Sequence, residues 1–176
     1  MKKEDHICID VYREEYKHAI IHLITGIQQK EFGLPITASD QPDLLYIPSF
    51  YQSNHGNFWV ALQHNRVVGC IGLLDLGEGQ AALRKMFVDA TFRGQTASTA
   101  RRLLDTLLHW AESQRLKNIY LGTTPLFLAA HRFYEKNGFT EIAQCALPST
   151  FPIMKVDTKF YKYDVSTADS CSSSFT

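Results

Sequence analysis

No stretch of this sequence is apolar for long enough to cross a membrane as a helix. The longest, Val67 to Leu74, has eight residues, two of them glycine, against the roughly 20 that such a helix needs. Charge of one sign is equally absent. Eighteen Lys and Arg balance 18 Asp and Glu, which leaves no basic excess of the kind that lets a general nucleic-acid binder neutralise phosphates. Cysteine is sparse. Cys8, Cys70, Cys145 and Cys171 lie far apart with no Cys-x-x-Cys pair, so they read as small buried hydrophobes and one thiol near the end, not as a disulfide framework or zinc site. No metal site is expected elsewhere. His18 and His22 are four apart on a predicted helix, but Ala19-Ile20-Ile21 between them lacks the Glu of a zinc-protease motif, and no third ligand is evident. No apolar segment follows Met1-Lys2-Lys3, and the expectation is a cytoplasmic protein, neither secreted nor membrane-bound.

What is present is the balance of a globular chain: 176 residues, 45% hydrophobic, enough for one domain. That domain is expected over residues 1–165. Ser166 to Thr176 carries five serines and little apolar content, and reads as a disordered tail. Within the domain the hydrophobic period switches between two and 3.6. Ile7, Ile9 and Val11 alternate as a strand. Tyr16, Ile20, Leu23, Ile24 and Ile27 form a helical stripe before the breakers Gly33 and Pro35. Residues 36–55 read as loops with a short helix. Three strands follow over 58–63, 66–75 and 80–88, joined by His64-Asn65 and by Gly77-Glu78-Gly79, turn signals of antiparallel hairpins. The Gly triplet has Ala82 where a nucleotide fingerprint needs a third Gly, so a hairpin is preferred. Residues 97–113 give a helix with Ala100, Leu104, Leu107, Leu108 and Ala111 on one face. A strand is predicted over 119–122, a helix over 127–137 stopped by Gly138, and closing strands over 140–143 and 159–165. The result is an α/β fold around one mixed sheet.

The chemistry-bearing segment runs from Leu83 to Ser98. A strand passes through a short loop, with Arg93 and Gly94, into a long helix, and free backbone N–H groups at a helix N-terminus suit a pyrophosphate. The residues alone fit an ordinary capped βα loop equally well. A second segment, Leu121-Gly122-Thr123-Thr124-Pro125 and then Ala129 to Phe139, ends in Phe133-Tyr134-Glu135-Lys136-Asn137-Gly138-Phe139. Here the chain resembles the GCN5-related N-acetyltransferase (GNAT) family. Arg93 and Gly94 match the start of that family's Arg/Gln-x-x-Gly-x-Gly/Ala loop, and the order of elements fits from Ile7 to Val165.

The resemblance implies a mostly antiparallel central sheet flanked by helices, and acetyl-CoA as co-substrate without a metal. It implies direct acetyl transfer to an amine of a small molecule or peptide, by a monomer or homodimer. It assigns cofactor contacts to Met86, Phe87, Val88, Arg93, Gly94, Gln95, Thr96, Ala97, Ser98, His131, Phe133 and Tyr134. The Phe87 and Val88 backbone would stabilise the oxyanion, and Tyr134 would act as general acid. On residues alone Tyr134 reads better as a core aromatic, and His131 as a surface histidine. Three positions depart from the family pattern: Thr96 and Ser98 stand where small residues are usual, and Ala82 stands where many members carry a Glu base. They motivate a rival reading, a module that keeps the fold and acyl-CoA binding with weak or no catalysis. The base is left open among Asp75, Glu78 and Gln80. Glu31, Asp40 and Asp43 are candidates to attract a cationic amine, with Phe32, Tyr51 and Trp59 lining its pocket.

Overall fold

The computed structural model describes residues 6–94 and 98–165. Gln95, Thr96, Ala97, Cys171 and the predicted tail from Ser166 lie outside them. Strand β1 (Ile7–Val11) leads through a 3₁₀ turn into helix α1 (Lys17–Gly26), whose stripe buries Ile20 and Ile24 completely. The predicted helix does not run on as an α-helix. Ile27–Glu31 winds as a π turn closed by Phe32 N–H donating to the Ile27 carbonyl at 3.2 Å, and the wider turn buries both Ile27 and Gln28. Two 3₁₀ turns and the short helix α2 (Ile47–Phe50) fill the mixed region.

Strands β2 (Asn57–Gln63), β3 (Arg66–Gly77) and β4 (Gln80–Val88) form the predicted antiparallel meander. His64 and Asn65 both have positive φ (48° and 64°), as a type I′ turn requires, because its twist matches that of the strands. Along β2 the side chains alternate between two cores. Phe58, Val60 and Leu62 pack with α1 and α2, whereas Trp59 and Ala61 pack with Leu103, Leu104 and Leu107 of helix α3 (Thr99–Ser113). Strand β5 (Asn118–Thr123) joins β4 in parallel, and helix α4 (Leu128–Lys136) follows on the α3 face. Strands β6 (Thr140–Ile142) and β7 (Lys159–Asp164) complete a sheet of seven strands among the described residues, ordered β1-β2-β3-β4-β5-β7-β6. Strand β7 thus lies between β5 and β6. No helix of the described residues is long and apolar enough to cross a membrane.

The parallel ladder of β4 and β5 covers only Gln80–Ala82 against Asn118–Tyr120. Just beyond it β4 carries a bulge. Between the pairs Gly72↔Arg84 and Cys70↔Phe87, β4 has one residue more than β3, and Lys85 sits there with φ 55°. A bulge bends its strand and breaks the alternation of side chains. Arg84 and Lys85, although consecutive, both reach the α1–α2 face. The Arg84 guanidinium lies 5.7 Å from the Phe50 ring centre, and Lys85 Nζ donates to Gln41 Oε1 at 2.6 Å.

Lys85 is the hub of a buried polar cluster. Its Nζ is 3.6 Å from Asp43 Oδ2, which accepts from the Tyr51 hydroxyl at 2.6 Å, while the Gln41 amide donates to Gln28 Oε1 at 2.9 Å. Burial pushes the Lys85 ammonium below its usual range, and Asp43 opposes the shift. Asp43 and Tyr51 therefore hold the bulge and do not line an acceptor pocket. Cys70 is buried and donates to the Lys85 carbonyl, but Cys8 and Cys145 are exposed, not the small core residues expected. Removing one partner of a buried ion pair leaves the other charge uncompensated. Asp43→Ala should lower unfolding stability by about 3–5 kcal/mol, read from denaturant midpoints. Replacing both, Asp43→Leu with Lys85→Met, should recover most of that loss.

Candidate functional site

Where β4 and β5 part, two clefts open and meet. The inner one, about 110 Å³, is lined by Arg84, Lys85 and Met86 of β4, Gly122 and Thr123 of β5, Gln28 of the π turn and Asp157 of the β6–β7 connection, among others. The outer one, about 440 Å³, runs between β4 and α4 and is bounded by Ile27, Glu31 and Phe32 on the other side. Met86, Phe87 and Tyr134 line both. Tyr134 comes from α4, packed by its ring against Phe133, Phe139 and Tyr161, and its hydroxyl donates to Met86 Sδ at 3.6 Å. Burial pushes its phenol well above the usual tyrosine range, so it is protonated at neutral pH.

The assigned residues divide accordingly. Met86, Phe87, Val88, Arg93, Gly94, Phe133 and Tyr134 line the outer cleft. Ser98 stands directly before α3 in a left-handed conformation (φ 51°) and lines neither cleft. That conformation is one glycine adopts freely, which gives a physical sense to the small residue usual there. Gln95, Thr96 and Ala97 fall outside the described residues. His131 is no surface residue. Its side chain is buried and its Nε2 lies 2.9 Å from the Thr124 carbonyl, which fixes the β5–α4 connection instead of facing the cleft. Gly94 has φ 100°, the loop geometry for which a glycine was expected.

Arg93 already has partners. Its Nε donates to the Val88 carbonyl at 2.8 Å, its Nη2 to Glu31 Oε2 at 2.8 Å, and its Nη1 pairs with Glu31 Oε1. Glu31 is thus a brace for the loop, and Asp40 caps its own 3₁₀ turn through Thr37. Phe32 packs on Phe127 at the outer cleft, while Trp59 is turned to the α3 face against Trp110. The proposed bases are also elsewhere. Asp75 pairs with His55, Glu78 is in the β3–β4 turn, and Gln80 reaches Tyr120, all at or beyond the closed end of the β4–β5 ladder.

The acid that does reach the inner cleft was missed. Asp157 Oδ2 accepts from the Met154 backbone N–H at 3.0 Å, and burial raises its carboxyl above the usual range, opposed by that N–H and by Arg84 and Lys85. A Cβ on Gly122 would stand 2.7 Å from Asp157 Oδ2, so only glycine lets this carboxylate lie against β5. Arg84 and Lys85 had left a signal, two charges inside an apolar strand. Asp157 had left none.

Comparisons with known proteins agree with this architecture. The profile of the acetyltransferase (GNAT) family matches residues 21–139. An acetyltransferase of the GNAT family from Staphylococcus aureus Mu50 superposes with a TM-score of 0.87 at 40% identity, over 91% of this chain and 99% of that one. N-acetyltransferase 8F1 of Rattus norvegicus is 29% identical over 149 residues, 82% of this chain and 65% of that protein. N-acetylaspartate synthetase of Xenopus tropicalis is 34% identical over 102 residues, 57% of this chain and 37% of that protein. The chain spans less than two thirds of the length of these curated relatives.

Two glycine substitutions test the packing of the site. Gly122→Ala should destabilise by about 1–3 kcal/mol, the cost of forcing a methyl into filled space, because Asp157 and the Phe160 ring both stand within 3.1 Å of the new carbon. Gly26→Ala, with nothing within 4 Å and at the end of α1, should instead be neutral or gain up to about 1 kcal/mol. Thermal melts of the pair distinguish a packed site from a general intolerance of glycine replacement.

Proposed function

Because the chain belongs to the acetyltransferase (GNAT) family, we propose that it catalyses direct acetyl transfer from acetyl-CoA to an amine of a small molecule or peptide in a ternary complex in the cytoplasm. The observation that carries the reading is the junction of the two clefts at Tyr134 and Met86. A donor lying in the outer cleft and an acceptor in the inner one would meet there.

The outer cleft suits the donor chemically. From Leu83 onward β4 has no ladder to β5, so its edge offers backbone groups to the amides of an extended chain, as an added strand would. Phe87, Phe133 and Leu126 supply apolar walls, and Arg93 stands at the phosphate end. When bound, the thioester supplies the electrophilic acetyl carbon.

The protein's part is to place groups and move protons. An alkyl amine of pKa ~10.4 is only about one part in 2,500 free base at pH 7, so the acceptor must give up a proton before it attacks. Asp157 is the group proposed to take it, since a carboxyl held above its usual range is a better base. As the C–N bond forms and the C–S bond breaks, the backbone at Phe87 and Val88 faces the developing oxyanion, and the Tyr134 hydroxyl gives its proton to the departing sulfur.

Tyr134→Phe keeps the ring contacts, so acetyl-CoA affinity should hold while kcat falls by roughly 10²–10⁴, measured by chromatography of acetylated product over a broad amine panel. Normal turnover in the variant would make Tyr134 a packing residue. Acyl-CoA binding with no turnover in either protein would favour the non-catalytic module. Arg93→Ala should weaken CoA binding by about 1–3 kcal/mol, the scale of a charge-assisted contact. Its thermal stability should drop by no more than about 1 kcal/mol, because the Glu31 pair is half exposed. Unchanged affinity would place the donor elsewhere.

A further inference from the structure

The inner cleft carries three charged side chains, and they are not equally committed. Lys85 is taken up by Asp43 and Gln41 behind the bulge. Arg84 makes no hydrogen bond or close ion pair among the described residues; its guanidinium lies over the Phe50 ring and reaches Asp157 only through its charge. Asp157 accepts a single hydrogen bond, from the Met154 N–H, and makes no ion pair with Arg84 or Lys85. A guanidinium and a carboxylate therefore share one narrow cleft, each within the field of the other but without a direct hydrogen bond. They stand on different strands' flanks, Arg84 on β4 and Asp157 against Gly122 of β5.

We propose that the acceptor is an amino acid, whose carboxylate is gripped by the Arg84 guanidinium while its amine lies at Asp157. The proposal rests on the acetyl-transfer reading and names the substrate class for the same site. A planar fork of N–H donors matches a carboxylate in two parallel hydrogen bonds. Phe50 holds that fork in place by contact with its face, and the bulge at Lys85 is what turns Arg84 and its neighbour to the same side of the sheet. An amine without a carboxylate would leave Arg84 desolvated and unpaired, a penalty paid at every binding event. The small inner cleft, about 110 Å³, suits a single amino acid better than a folded polypeptide.

The test uses the full chain, acetyl-CoA and the proteinogenic amino acids, each paired with the form in which every carboxylate is an amide. At least one free amino acid should be acetylated with kcat/KM at least about 100-fold above its amide. In Arg84→Gln that ratio should shrink to within about threefold, the loss appearing mainly in KM, and Arg84→Lys should keep part of it because charge remains without the fork. A second arm needs no turnover: N-acetylamino acids are titrated calorimetrically into CoA-saturated protein, and binding should depend on Arg84. Acetylation of amides as fast as of free acids, or a preference unchanged in Arg84→Gln, would overturn the proposal and leave the acetyltransferase standing. Arg84-dependent binding without turnover would uphold the carboxylate site and sink the activity. Absence of both turnover and binding would overturn the proposal, and the broad amine panel then decides the acetyltransferase reading by itself.

Discussion

The parting of β4 from β5 is the constraint on which the site depends, and it originates in one extra residue. Holding Lys85 at φ 55° costs a non-glycine side chain about 1–2 kcal/mol, and a lysine there must also be desolvated. The surroundings offset this. Asp43, Gln41 and, through them, Tyr51 and Gln28 satisfy the ammonium, and the Cys70 thiol donates to the Lys85 carbonyl. Backbone strain that persists only because its neighbours over-determine it is characteristic of functional positions. Here its product is a strand edge freed from its partner and a lysine brought to the same face as Arg84.

The π turn at Ile27–Glu31 couples the two clefts from the opposite wall. One wider turn places Gln28 at the inner cleft and Ile27 and Glu31 at the outer one. Through Glu31 it also grips Arg93, which lines the outer cleft. The loop after β4 and the π turn are therefore joined by a charge pair at the edge of the outer cleft.

Two polar clusters near the bulge have opposite characters. The Lys85 cluster is closed, each member answered by another, and acts as structure. Arg84 and Asp157 are open, with most of their hydrogen-bonding capacity unanswered among the described residues. In a low-dielectric cleft, unanswered groups are costly unless a ligand completes them. The closed cluster fixes the bulge beside Arg84, whereas Asp157 is held by the Met154 N–H next to Gly122.

Much of the architecture was legible in local pattern. The meander of β2, β3 and β4 follows from period-two runs and positive-φ turns, and α3 from a 3.6-residue stripe, because these signals concern neighbours a few residues apart. The segment Phe133 to Phe139 with Arg93-Gly94 pointed to the family and to Tyr134 in the same way. Other features depend on partners distant in sequence. Nothing local in Lys159–Asp164 says that β7 enters between β5 and β6, and nothing near Glu31 or Asp43 says that they answer Arg93 and Lys85, 62 and 42 residues away. Asp157 reaches the cleft only because Gly122 leaves it room. Local periodicity determines which elements form and which face is apolar, whereas the register, the bulge and the choice of charge partner are settled by packing, where whole elements compete for the same buried space.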